Sequence, residues 1–216
     1  MPSSQDIDRP EAAVDIARQY LRRERPLSAL VVVLFTSVFL GTFLATSLLP
    51  ALVVGAVLVV GARAPLIRSC GTVRLRTDDD VEPVAASFTG PTPPGLVFQW
   101  GTADEIAIRD STVTYRIWYL FGLRSIEMTV QTQTTTARNG AHRVELYVTA
   151  NGQQWSTYTA TIHQQGDQTI VEYEYAANQR FGLRRVPQRI IAKRYRNEAL
   201  RKQGYTVVER DDHYGI

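Results

Sequence analysis

The chain has few of the residues on which common catalytic and metal-binding sites depend. It contains one cysteine among 216 residues, which excludes an intrachain disulfide and a cysteine-rich zinc site. The three histidines are widely separated, and no phosphate-binding glycine loop, His-Glu-x-x-His or Gly-x-Ser-x-Gly motif is present. The sequence therefore predicts no catalytic residue, no metal ligand and no cofactor.

A strong net charge is also lacking. The 24 Lys and Arg residues nearly balance the 21 Asp and Glu residues, which gives a formal charge of +3. This bias is too small to indicate a nucleic-acid partner, so none is predicted.

Charged residues are missing altogether from residues 26–62. One helix of that length would be about 55 Å long, against a hydrocarbon core of about 30 Å. A break near Pro50, which suits the first turn of a helix, gives two apolar segments at 29–46 and 51–67. The pattern predicts a transmembrane helical hairpin, and a single kinked span is the alternative.

Arginines flank this uncharged run on both sides, at Arg18, Arg22, Arg23 and Arg25 and again at Arg63, Arg68, Arg74 and Arg76. By the positive-inside rule, both ends are expected in the cytoplasm of a multi-pass membrane protein. The predicted organisation is a juxtamembrane segment at 1–25, the hairpin at 26–68 and a cytoplasmic domain at 71–216. Within the first segment, Ala13, Ile16 and Tyr20 recur at helical spacing. That spacing indicates an amphipathic helix along the inner membrane surface or a solvated lead-in.

The pattern changes to alternating apolar and polar residues from about residue 72. It predicts a first strand around 73–76, a short helix at 83–88, and further strands at 96–100, 106–109, 112–120, 125–135, 143–150, 153–163 and 169–175. Asn139-Gly140 and Asn151-Gly152 separate neighbouring runs and indicate tight antiparallel hairpins. A long helix at 186–204, with Pro187 in its first turn and Gly204 at its end, is expected to cover the sheet.

Basic residues are concentrated on that last helix. Residues 184–202 carry a charge of +7, whereas the rest of 71–216 carries about −6. This segregation predicts contacts with anionic lipid at six positions, namely Arg184, Arg185, Arg189, Lys193, Arg194 and Arg201.

The predicted fold class is α+β, with an antiparallel sheet gripping a long C-terminal helix. The order of these elements over residues 72–204 resembles the helix-grip architecture of the START-like, polyketide-cyclase-like superfamily. The whole chain, including its ending "RFGLRRVPQRIIAKRYRNEALRKQGYTVVERD", resembles uncharacterised archaeal membrane proteins, such as those of haloarchaea. A less close resemblance is to membrane-attached pleckstrin-homology-like domains. The helix-grip resemblance implies an apolar ligand held between sheet and helix.

Several large side chains of the domain are suited to line such a cavity, with hydroxyl groups to orient a ligand. The candidates are Tyr115, Trp118, Tyr147, Tyr158, Tyr173, Ile191 and Tyr195. A filled core is the alternative reading of the same residues.

The expected function is a membrane-tethered cytoplasmic domain that binds a lipid or another apolar small molecule. Its expected partners are membrane lipids and that small molecule. The alternative is a membrane-anchored structural or recruitment protein with a filled core and no ligand. An enzyme would require a pair of inward-facing ionisable groups, which the pattern does not reveal.

Overall fold

A computed structural model of the chain describes residues 9–65, 67–119, 122–137, 140–182 and 186–215. Its helices are α1 Glu11–Ala45, α2 Leu48–Arg63, α3 Val81–Thr89, α4 Val97–Trp100 and α5 Val186–Lys202. Its strands are β1 Arg68–Thr77, β2 Glu105–Arg109, β3 Thr112–Tyr119, β4 Arg124–Thr136, β5 His142–Ala150, β6 Gln153–Gln165, β7 Gln168–Ala177 and β8 Thr206–Gly215. The chain is therefore an α+β protein.

The strands form one antiparallel sheet of eight, in the order β2-β3-β4-β5-β6-β7-β1-β8. Strands β2 to β7 follow one another as hairpins, and β1 lies between β7 and β8. The β5–β6 turn has positive φ at both Asn151 (49°) and Gly152 (76°), as the Asn-Gly signal predicts. Asn139 of the other predicted turn lies outside the described residues. The predicted antiparallel pairing is confirmed.

One face of the sheet carries the core. Along β5, the alternate residues Val144, Leu146 and Val148 are fully buried, because successive side chains of a strand point to opposite faces. Helix α3 packs over β5 and β6 and contributes Phe88, which is also fully buried. The predicted short helix at 83–88 is confirmed, with wider bounds.

The predicted strand at 96–100 is wrong. Residues Pro94–Leu96 form a 3₁₀ turn that leads directly into α4. Pro94 suits the first position of such a turn, because an N–H at that position would have no acceptor within the turn. The Trp100 indole then donates a hydrogen bond to the carbonyl oxygen of Pro93 (2.9 Å), which fixes the folded-back segment over the sheet.

Strand β8 was not predicted. It follows α5 and pairs antiparallel with β1, with Val73 opposite Arg210 and Gly71 opposite Asp212. Strand β1 is therefore an internal strand of the sheet, and β8 is the edge. Because Arg210 and Asp212 share a side of the strand, this edge places two charged residues beside the core.

The amphipathic pattern at the beginning of the chain forms the first part of α1. Ala13 and Ala17 are fully buried, and Ile16 is 6 % exposed. Ala13 and Ile16 join the same buried cluster as the sheet residues, and α1 packs extensively on α5. The partner of this apolar face is the sheet domain, so neither of the two predictions, a helix along the inner membrane surface or a solvated lead-in, describes these residues. The division at residues 25 and 71 stays a prediction.

The helix break near Pro50 lies where the sequence places it. Helix α1 ends at Ala45, and α2 begins at Leu48 with Pro50 in its first turn. Among the described residues, however, no helix combines the length and the apolar composition needed to cross a membrane. That finding contradicts the predicted transmembrane hairpin and the multi-pass location with cytoplasmic termini that followed from it.

The prediction of a transmembrane hairpin fails because of the way in which α1 and α2 divide the uncharged run. Helix α2 has 16 residues, so it spans only about 24 Å, less than a hydrocarbon core of about 30 Å. Helix α1 is one continuous helix, and its first half, which carries charged residues, belongs to the sheet domain. Large apolar side chains in the second half of α1 and in α2 are exposed, for example Leu44 (83 %) and Leu49 (76 %).

Candidate ligand-binding cavity

A cavity of about 590 Å³, partly open to solvent, lies between the sheet and the helices α1, α4 and α5. Strands β1, β3, β4, β6 and β7 contribute lining residues to its floor, and α1, α4 and α5 contribute lining residues to its roof. Its lining residues include Tyr20, Val31, Val32, Phe98, Gln99, Ile117, Met128, Trp155, Ser156, Tyr158, Tyr175, Ala192 and Arg196. Most of these side chains are aromatic or aliphatic, so the greater part of the wall is apolar.

Aromatic rings hold the helices over the cavity. Tyr20 of α1 stacks on Phe98 of α4 with ring centroids 4.6 Å apart, and it meets Tyr195 of α5 edge-on at 5.9 Å. On the floor, Tyr158 stacks on Tyr173 at 5.6 Å. Such pairs contribute about 0.5 to 1.5 kcal/mol each beyond the area they bury. The roof of the cavity is thus fixed by packed rings from three helices.

A polar cluster lies at the end of the cavity nearest β8. The Tyr175 hydroxyl donates a hydrogen bond to Asp212 Oδ1 (2.8 Å), and Lys193 Nζ lies 3.1 Å from Asp212 Oδ2. Arg210 Nη1 is 3.6 Å from Asp212 Oδ1. The side chains of Arg210 and Asp212 are only 8 % and 7 % exposed. We call Tyr175, Lys193, Arg210 and Asp212 the β8 polar cluster.

A glycine makes the contact between Tyr175 and Asp212 possible. Gly71 lies between these two residues in register, paired with Tyr175 on one side and Asp212 on the other. A Cβ at Gly71 would lie 2.9 Å from the Tyr175 hydroxyl and 2.5 Å from the carbonyl oxygen of Asp211. The absence of a side chain there leaves the space through which the hydroxyl reaches the carboxylate.

The electrostatics of the β8 polar cluster follow from its burial. Burial alone would raise the pKa of Asp212, but hydrogen bonds from Tyr175 and Lys193 and the charge of Arg210 outweigh it, and the pKa is lowered. Burial and the bond to Asp212 raise the pKa of Tyr175 to about 12. Burial also lowers the pKa of Arg210, against the opposing effect of Asp212. At neutral pH, Asp212 is therefore ionised and Tyr175 is protonated.

Arg196 of α5 joins the cavity to this cluster. It lines the large cavity and also two small adjoining spaces of about 20 Å³ each, one toward Tyr173 and one toward Asp212. Its guanidinium carbon is 5.7 Å from the centroid of the Phe98 ring, within range of a cation–π contact. Within the described residues, Arg196 makes no salt bridge.

Several buried polar atoms around the cavity have no hydrogen-bond partner among the described residues. They are Ser156 Oγ, Tyr173 Oη and Arg210 Nε, together with Asn197 Oδ1 on α5. Ser156 lines the large cavity, and Tyr173 and Arg210 line the small space beside it. Unpaired buried polar groups cost about 1 to 3 kcal/mol each, so they mark places where a partner would be favourable.

The structure brings together only part of the predicted cavity lining. Tyr158 lines the large cavity and Tyr173 lines the adjoining small one. Tyr195 and Ile191 belong to the packed layer around α5. That the seven predicted residues line one cavity stays a prediction.

The remaining three predicted residues lie elsewhere. Tyr115 is fully buried and its hydroxyl donates to the carbonyl oxygen of Pro91 (2.7 Å). Trp118 is 48 % exposed. Tyr147 donates to Glu145 Oε2 (2.6 Å) and alternates with the buried residues of β5, so it faces away from the core.

The six basic residues predicted to contact anionic lipid are placed unequally. Arg194 and Arg201 are exposed on α5, whereas Lys193 pairs with Asp212. Arg184 and Arg185 lie outside the described residues, and so does the side chain of Arg189. Contact with anionic lipid stays a prediction.

Sequence reasoning missed Arg196, Arg210 and Asp212. Arg196 is one of eight basic residues in the segment 184–202, and nothing in the sequence distinguishes it from the others. Arg210 and Asp212 lie in the strand that was not predicted. The spacing of Arg210 and Asp212, two residues apart as on one face of a strand, is the signal that could have found them.

Neither protein-family models nor curated proteins give a match to this chain. Among solved structures, the Mll3558 protein from Rhizobium loti is 17 % identical, with a TM-score of 0.40 over 62 % of this chain and 96 % of that one. A conserved protein from Geobacillus kaustophilus is 11 % identical, with a TM-score of 0.39 over 62 % of this chain and 91 % of that one. An uncharacterized protein from Rhizobium leguminosarum is 11 % identical, with a TM-score of 0.33 over 63 % of this chain and 99 % of that one.

Proposed function

We propose that this chain is a binding module of helix-grip type that holds a small apolar molecule between its sheet and α5. The observation that carries the proposal is the cavity of about 590 Å³. Ligand sites of proteins occupy about 300 to 1,000 Å³ and are lined mainly by apolar and aromatic side chains with a few polar groups. Both the size and the lining of this cavity agree with that description.

The order of the elements supports the helix-grip assignment. Strand β1 is followed by α3 and α4, then by six strands in sequence and then by the long helix α5. This is the order on which the START-like resemblance rests. An empty space of this size beneath α5 also favours ligand binding over the recruitment alternative, which requires a filled core.

A neutral fluorescent probe tests the proposal directly. We expect phenylnaphthylamine, an uncharged apolar molecule, to bind the purified full-length chain with an increase in fluorescence. We also expect native mass spectrometry to detect apolar molecules that co-purify with it. Ala192 lines the cavity and is 7 % exposed, so Ala192→Phe should fill part of the space and weaken probe binding about tenfold, or about 1.4 kcal/mol.

The matched control is Ala137→Phe, which adds the same side chain at an exposed position beyond β4. It should leave probe binding unchanged. Circular dichroism must show that both variants keep the fold. Probe binding that is equally strong in Ala192→Phe and in the unmodified chain would show that the probe does not occupy this cavity, and the proposal would fail.

A further inference from the structure

The cavity has a basic end that the apolar ligand alone does not explain. Three cations, Lys193, Arg196 and Arg210, lie around the space at that end. Only one carboxylate, Asp212, lies among the described residues that line it. The local charge is therefore about two positive units in excess.

The single carboxylate is already engaged. Asp212 accepts the hydrogen bond of Tyr175 and lies within 4 Å of both Lys193 and Arg210. Nearby acidic residues do not help, since Glu174 and Asp211 are exposed on the other face of their strands and Glu198 is exposed on α5. Arg196 is thus left without a counter-charge in the described part of the chain.

Burial makes this excess of positive charge costly. Arg210 is 8 % exposed, and its Nε has no acceptor among the described residues. Arg196 is partly buried and lines the large cavity as well as the space beside Arg210. A buried cation without a partner is strongly unfavourable, and an anion hydrogen-bonded to it removes most of that cost.

We infer that the molecule held in the cavity carries an anionic group, a carboxylate or a phosphate, and that this group binds Arg196 at the basic end while the apolar body lies along Tyr20, Phe98 and Trp155. The inference rests on the proposed function of the cavity. Arginine suits this role because its planar guanidinium donates paired hydrogen bonds to carboxylate and phosphate oxygens. Arg210, behind Arg196, adds positive charge without needing to touch the ligand.

Three ligands of one chain length separate the head group from the tail. The full-length chain should bind dodecanoate and dodecyl phosphate, or one of the two, at least about tenfold more tightly than dodecanol, because a charge-assisted pair adds about 1.5 to 3 kcal/mol to the shared apolar contacts. Displacement of phenylnaphthylamine measures all three affinities. The better of the two anions identifies the head group.

The test variant is Arg196→Gln, with Arg194→Gln as its matched control on the exposed side of the same helix. Arg196→Gln should abolish the preference, so that this variant binds the anions and dodecanol with affinities within about twofold of one another. Arg194→Gln should keep the full preference. Circular dichroism must show that both variants keep the fold.

The outcomes distinguish the two claims. If all three ligands bind equally, or if the anion preference survives in Arg196→Gln, the cavity binds an apolar molecule and the inferred head group is wrong. If the probe does not bind the unmodified chain, the proposed function fails and the inference fails with it. If the probe binds but none of the three ligands displaces it, only the inferred head group is wrong.

Discussion

At the scale of single residues, Asp212 is the side chain on which the β8 polar cluster depends. Its carboxylate accepts a hydrogen bond from Tyr175 and faces Lys193 and Arg210. It is also the only acidic group among the described residues that line this end of the cavity. Without this carboxylate the neighbouring cations would repel one another. Asp212 therefore stabilises the folded chain at the basic end of the cavity.

Replacement of Asp212 by Asn should therefore destabilise the protein in a pH-dependent way. The folded pKa of Asp212 is lowered, so its contribution to stability is complete above the ordinary value near 3.9 and is lost as the pH falls through the lowered pKa. At pH about 7, Asp212→Asn should reduce the free energy of unfolding by about 3 kcal/mol, because it leaves Arg210 buried without a counter-charge. Urea unfolding at several pH values measures the effect.

The control is Asp211→Asn, since Asp211 is 63 % exposed on the opposite side of β8. That change should have little effect at any pH. The difference in free energy of unfolding between Asp212→Asn and the unmodified chain should become smaller as the pH is lowered below about 4. A gap that stays constant down to the acid-unfolding region would contradict the assignment of the effect to ionised Asp212.

At the scale of elements, strands β1 to β7 were predictable from the sequence and the edge strand β8 was not. Alternation and turn residues are local signals, so β5, predicted at 143–150, is observed at His142–Ala150. Strand β8 has charged and polar residues at Glu209, Arg210, Asp211 and Asp212, so neither of its faces reads as apolar. Only the long-range pairing with β1 makes it a strand, and a single sequence carries no signal of that pairing.

The same limit explains the segment at 96–100. Its apolar residues fit a short strand and a short helix equally well, because runs of that length do not establish a period. Hydrogen bonds from Trp100 to Pro93 and from Tyr115 to Pro91 decide the outcome, and both depend on the tertiary fold. Because Phe98 of α4 is part of the cavity wall, the sequence does not predict this part of the wall either.

A pair of adjacent valines tests the side-chain register of β8. Val207 packs against the buried core, whereas Val208 is 55 % exposed. Val207→Asp should lower the free energy of unfolding by about 2 kcal/mol or more, because it places a charge against apolar side chains. Val208→Asp should change it by less than about 0.5 kcal/mol. Equal effects in a denaturant titration would show that β8 does not present these faces.

At the scale of the whole molecule, the first helix links the two parts that the sequence separates. The uncharged run at 26–62 dominates the pattern and led to the prediction of a membrane hairpin with a separate domain after it. In the fold, the charged beginning of α1 packs on the sheet domain, and Tyr20 closes the cavity against Phe98 and Tyr195. Hydropathy detects the apolar run but carries no information about what the residues before it contact.

The fold therefore predicts that the beginning of α1 and the sheet unfold as one cooperative unit. Ile16 is 6 % exposed within the shared buried cluster, so Ile16→Asp should destabilise the sheet by about 3 kcal/mol and weaken probe binding. Gln19→Asp, which places the same charge on the exposed side of α1, is the control and should do neither. Fluorescence of the three tryptophans, Trp100, Trp118 and Trp155, follows the unfolding of the sheet domain, because all three lie outside α1. If its midpoint in denaturant is the same in Ile16→Asp as in the unmodified chain, residues 1–25 are a separate segment, as the sequence pattern suggests, and the cavity has no roof from α1.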